Sequence, residues 1–140
     1  MRKTILPLIP LLFLLLIASG SCSLFKAKID PVGKEYAVSI QTDALILVAK
    51  AGESFSLHRE EVYRLMTRVE QAYEHARPLY KNNKVTGIWD VMRNPRANRL
   101  GRFMQDWEEE DVLDEEYIKK ALEWVQKDFD ILIEIEEKKE

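Results

Sequence analysis

Cysteine is all but missing from this sequence: among 140 residues, Cys22 is the only one. A single thiol excludes an internal disulfide, so whatever follows it folds by packing alone. Histidine is nearly as scarce. His58 and His75 are the only imidazoles, and neither belongs to a His-Glu-x-x-His or Glu-x-x-His pattern, so no metal site and no other cofactor is expected. None of the five glycines frames a Gly-x-Ser-x-Gly turn, which leaves no serine marked as a nucleophile. An excess of positive charge is lacking too: 21 Lys and Arg against 24 Asp and Glu give a net charge of −3. Nucleic-acid binding wants a basic footprint and is not expected. Long apolar runs are confined to Ile5–Ala18, which Pro7 and Pro10 interrupt. A membrane span needs about 20 apolar residues to cross about 30 Å of hydrocarbon, so this run is too short.

What the chain does have is an export address. Arg2 and Lys3 give a short positive start, the Ile5–Ala18 run follows, and Ser19-Gly20-Ser21 is a small-residue approach to Cys22. That is the layout of a secretory signal. The segment Ala18-Ser19-Gly20-Ser21-Cys22 resembles the lipobox of bacterial lipoproteins, although Ser19 stands where that family prefers a branched aliphatic residue. The resemblance covers only the start of the chain. It implies that the Cys22 thiol receives a diacylglyceryl group, that the bond before it is cut, and that the new amino terminus is acylated, commonly with palmitate. Ser23 is not the aspartate that signals inner-membrane retention in enteric members, so the outer membrane is the expected address, facing periplasm or surface. Ordinary cleavage near Ser21, releasing a soluble protein, and an uncleaved anchor are the alternatives. The expected organisation is a signal peptide over 1–21, a lipidated tether over 22–30 and a helical domain over 31–140.

The domain reads as an all-α antiparallel bundle of about four to five helices, three of them long. Asp30-Pro31 is a helix start, with Asp30 as cap and Pro31 in the first turn. Ala37, Ile40, Ala44, Leu47 and Val48 then repeat at helical spacing to about Lys50. A hairpin of Tyr36–Ile40 with Ala44–Ala49 is the rival, against which the turn lacks glycine. Ser56 is the expected cap of a second helix with a clean stripe: Val62, Leu65, Met66, Val69, Ala72, Tyr73 and Ala76. Pro78 should bend or end it. Thr86 is expected to open a short third helix. Asn94-Pro95 should close that helix and start the next, which runs to about Glu109 with Gly101 inside it. Asp114 caps the last, whose wide stripe from Ile118 to Ile135 calls for two neighbours.

Two clusters invite chemistry. Arg93, Arg96, Arg99 and Arg102 recur every third residue between Trp89 and Trp107. Guanidinium forks grip phosphate and carboxylate groups, so these six residues are candidates for contact with anionic lipid, glycan or a partner. The competing expectation is a solvated basic face paired with acids of the same domain, with both tryptophans in the core. Glu108–Glu116 is rich in acids but has no glycine for a calcium loop, and is expected to be a solvated corner whose carboxylates meet the arginines. No pattern points to catalysis. The chain is therefore expected to be a lipid-anchored, non-catalytic interaction module with an unidentified envelope partner, or alternatively a binder of anionic lipid or glycan.

Overall fold

The computed structural model describes residues 30–79 and 84–138. The leader, Cys22 and the tether lie outside the described residues, and with them the processing expectations. Among the described residues five α-helices follow one another: α1 (Pro31–Ala49), α2 (Arg59–Leu79), α3 (Lys84–Arg93), α4 (Leu100–Glu110) and α5 (Glu115–Glu137). A 3₁₀ turn at Phe55–Leu57 precedes α2, and no strand occurs among the described residues. The protein is all-α, and 36–49 is one helix, so the hairpin is excluded.

The helices close a ring. α1 packs on α2 and, most extensively, on α5; α2 packs on α3, and both α3 and α4 meet α5. The three long helices, of 19, 21 and 23 residues, take three positions, and the shorter α3 and α4 fill the fourth. Each apolar stripe points into this ring. Ala37, Ile40, Ala44, Leu47 and Val48 of α1 are buried, as are Val62, Leu65, Val69, Ala72 and Ala76 of α2 and Ala121, Val125, Phe129 and Leu132 of α5. Trp107, Phe103 and Phe129 are the largest fully buried side chains, each contributing on the order of 1.5–3 kcal/mol by leaving water.

Helix ends follow local chemistry that the sequence shows only in part. Asp114 caps α5 as expected, accepting from the backbone N–H of Glu116 and Tyr117. Asp30 does not cap α1 with its side chain; the carboxylate goes to His75 instead, at 2.9 Å. Ser56 caps nothing. Its hydroxyl pairs with Ser54, and α2 begins after the 3₁₀ turn, with the His58 carbonyl accepting from Val62. Helix α3 begins at Lys84 rather than Thr86. Pro78 lies inside the last turn of α2, where little helix remains to be disturbed.

The largest departure is at Asn94-Pro95, which does not start a helix. Asn94 Oδ1 accepts from the Arg96 N–H at 2.9 Å, an Asx turn that competes with helix, and α4 waits until Leu100. Gly101 then shows its purpose. A Cβ there would lie 2.8 Å from the Arg93 carbonyl oxygen, so only glycine lets α4 pass this close to the end of α3.

Candidate functional site

The irregular stretch 94–99 breaks the regular spacing of the four arginines, and each has its own surroundings. Arg93 stacks over the Tyr73 ring at 3.8 Å and meets Glu70 and Asp90 at 3.0 and 2.9 Å. Arg99 pairs with Asp128 at 2.9 Å, near the Trp124 ring. Burial raises the Asp128 carboxyl above the usual aspartate range, with Arg99 opposing the shift. Arg102 reaches Asp106 at 2.7 Å. Asp106 also accepts from Tyr117 at 2.8 Å, whose phenol is pushed up to about 12 by burial and by that carboxylate. Among the four, only Arg96 is an exposed guanidinium with no carboxylate at ion-pair distance among the described residues. An anion arriving here competes with four carboxylates already in place.

The tryptophans belong to the interior. Trp89 packs edge-on to Phe129 at 5.8 Å, and Trp107 packs edge-on to Phe55 at 5.6 Å. Both are buried. Nor do the carboxylates of 108–116 meet these arginines. Glu108 accepts from Tyr63 and Glu109 from Gln105, Asp114 caps α5, and Glu116 pairs with Lys120.

Chemistry the sequence did not announce gathers at the end of the bundle where loop 50–58 meets turn 111–114. Phe55 N–H donates to the Asp111 carbonyl at 2.8 Å, and Leu113 N–H donates to the Ala51 carbonyl at 2.8 Å. Asp111 adopts φ 66, a left-handed value that aspartate tolerates better than most residues. Its carboxylate accepts from the Ser54 hydroxyl and the Phe55 N–H. Trp107 Nε1 donates to the Glu53 carbonyl at 3.0 Å. Against that indole lies His58, with Nε2 2.8 Å from Glu53 and Nδ1 3.1 Å from Glu61. Hydrogen bonds to Glu53 and then Glu61 raise the imidazole's pKa, and Lys50 adds an ion pair to Glu61 at 3.7 Å. Both ring nitrogens are engaged, so His58 clasps loop to helix. The available signal was Glu61 three residues on from His58; Glu53 depends on the fold of the loop.

At the other end, His75 binds Asp30 and packs its ring beside Tyr36, with centroids 5.8 Å apart. Gly33 clears the space, since a Cβ there would lie 2.7 Å from Asp30 Oδ2. Among the described residues no group of three or more His, Cys, Asp or Glu is arranged to hold a metal ion, and no helix is long and apolar enough to cross a membrane.

One surface remains, the outward side of α1. Tyr36–Ala49 contains a single charged residue, Asp43, and α1 turns Val38, Thr42, Ile46 and Ala49 outward. Two shallow grooves, of about 160 and 310 Å³, run along its border with α2 and share Arg68. Comparison with protein-family models, curated proteins and solved structures gave no match.

Proposed function

We propose that this chain is a lipid-anchored protein of the bacterial cell envelope that works as a non-catalytic interaction module. One juxtaposition carries the reading. The lone thiol, Cys22, follows a signal-like leader and stands eight positions before Asp30, and the helix that begins there exposes Val32, Val38, Thr42, Ile46 and Ala49, with Glu35 and Asp43 the charged residues among its exposed positions. Surface helices of water-bathed domains carry polar residues on their outward side. Three large apolar side chains exposed along one helix, Val32, Val38 and Ile46, point to something that covers them.

Cys22 supplies the attachment. Each buried methylene contributes about 0.8 kcal/mol, one acyl chain holds only marginally, and two or three hold durably. Ser23 in place of aspartate favours the outer membrane, and the acidic body gives no reason to expect nucleic acid. Metabolic labelling with a palmitate analogue tests the anchor: label on the parent and none on Cys22→Ser is expected, whereas an unlabelled parent removes it. Affinity capture from envelope extract, comparing the parent with a chain carrying Val38→Lys and Ile46→Lys, tests the surface. Loss of captured protein in the variant is expected; unchanged capture refutes the surface.

A further inference from the structure

The carboxylates that end α4 stand where helix electrostatics disfavour them. The C-terminal end of a helix carries partial negative charge and is stabilised by cations. Helix α4 instead finishes in Glu108, Glu109 and Glu110, with no basic residue in its last turn, and the exposed Asp111 follows. Acids elsewhere have cations of their own: Glu70 meets Arg93, Asp128 meets Arg99 and Glu137 meets Lys34. None of these four has a cation at ion-pair distance among the described residues. Their donors are neutral: Tyr63 bonds Glu108, Gln105 bonds Glu109, and the Ser54 hydroxyl and Phe55 N–H bond Asp111. Neutral donors leave the negative charge in place. Arg59, whose guanidinium lies 5.9 Å from the centre of the Phe55 ring, supplies one positive charge against four negative ones. A local rule broken without gain inside the chain points to use outside it.

Large apolar side chains face water beside this helix end. Leu57 is 70% exposed, and Val112 and Tyr63 are exposed as well. All three stand near Phe55: the Tyr63 ring packs on it at 6.3 Å, Leu57 closes the same 3₁₀ turn, and Val112 follows the Asp111 to which Phe55 donates. The backbone here is held by hydrogen bonds. Leu57 N–H donates to the Ser54 carbonyl at 3.1 Å, and the bonds of Asp111 to Phe55 and of Leu113 to Ala51 flank Val112 on either side. Side chains fixed outward in this way meet a partner with little further ordering cost.

We infer that this end of the bundle docks a basic segment of another polypeptide, whose Lys or Arg side chains meet residues 108–111 and whose apolar side chains cover Leu57 and Val112. Cations arriving there relieve both the crowded carboxylates and the negative end of α4. The uncompensated charge selects the occupant. A second copy presents the same four carboxylates, and like charges oppose that pairing. Anionic lipid headgroups and nucleic acid are turned away for the same reason. The anchored reading adds a distance, because α1, of 19 residues, sets this end about 28 Å along the helix from the tether. A partner in the aqueous space can reach it; the charge argument stands without that clause.

The test puts the full chain in phosphatidylcholine vesicles and follows, by fluorescence anisotropy, a labelled peptide of repeated Lys-Leu-Lys-Gly; protein-free vesicles give the background. Saturable binding is expected, and none of the same peptide with Glu for Lys. Glu108→Gln, Glu109→Gln and Glu110→Gln together should weaken binding about tenfold, and Leu57→Ser with Val112→Ser about threefold. Glu35→Gln, Glu123→Gln and Asp130→Asn together remove as many charges elsewhere and should leave binding unchanged. An equal fall in that control shows attraction to the acidic body as a whole and overturns the site, as does parental binding by the 108–110 variant. Melting curves separate docking from folding. The 108–110 variant should melt at or above the parent, because like-sign charge leaves the helix end; a lower melting temperature would show that these carboxylates serve the fold and would overturn the inference. Val38→Lys with Ile46→Lys should not alter peptide binding, so this site and the α1 surface fail separately.

Discussion

The loop end of the bundle and the outward face of α1 are opposites in composition and in bookkeeping of contacts. The first holds histidine, tryptophan, serine and carboxylates, the usual vocabulary of a site, and those groups are bonded to one another. The second holds valine, threonine, isoleucine and alanine, and its side-chain hydrogen bond runs from the Thr42 hydroxyl to the Val38 carbonyl of the same helix. Chemical richness here serves the fold, and the plain helix is left with a surface to offer. The arginines make the same point, since three of the four are matched to carboxylates: Arg93 ties α3 to Glu70 of α2, Arg99 ties the start of α4 to Asp128 of α5, and Arg102 pairs with Asp106 within α4.

The sharpest way to break this contrast is to damage each side. Trp107→Ala empties the space against Phe55 and His58 and removes the bond to the Glu53 carbonyl, and a loss of about 3–5 kcal/mol is expected in denaturant melts. Gly101→Ala comes next. Its Cβ meets the backbone of Arg93, which cannot swing aside as a side chain would, so overpacking should cost about 1–3 kcal/mol, read as a lower melting temperature with helicity retained.

How far the sequence discloses the two regions follows from the range of the forces involved. Helical stripes are local, so the apolar positions of α1, α2 and α5 can be read from periodicity. Asp114 can be read as a cap because its partners are two and three residues away. Asp30 and Ser56 cannot, because His75 and the Asp111 turn compete for that part of the chain from far along the sequence. The Asx turn at Asn94 outweighs the helix-starting preference of Pro95, which is why the arginine spacing misleads. The low charge of α1 can be read in Tyr36–Ala49, where Asp43 is the one charged residue, but its meaning depends on which neighbours cover which side.

A smaller effect sharpens the contrast through pH. The His58 pKa is raised from 6.5, so its contribution is complete below about 6.5 and fades as pH climbs through the higher folded value. Glu61 is lowered from 4.5, first by the His58 bond and then by Lys50; its share is complete above that value and is lost as pH falls through the depressed one. The clasp should be firmest between about 4.5 and 6.5. Thermal melts of the parent should decline on moving from pH 6 to pH 8.5, and His58→Gln should flatten that decline; an unchanged slope would remove His58 from the account. The smallest effects belong to the surface. Ile46→Ser and Arg96→Gln should each shift stability by no more than about 0.5 kcal/mol, and a larger loss in a urea melt would mean that these side chains are structural.

Accessibility of α1 in intact membranes decides whether its outward side is covered. Single cysteines at Val38, Thr42 and Ala49, compared with one at Thr67 on α2, can be titrated with a water-soluble maleimide before and after detergent dispersal. Slow labelling of the three α1 positions in membranes, released by detergent, beside fast labelling at Thr67 in both, is the expected result. Equal rates at all four positions would contradict the assignment of α1 as the working surface.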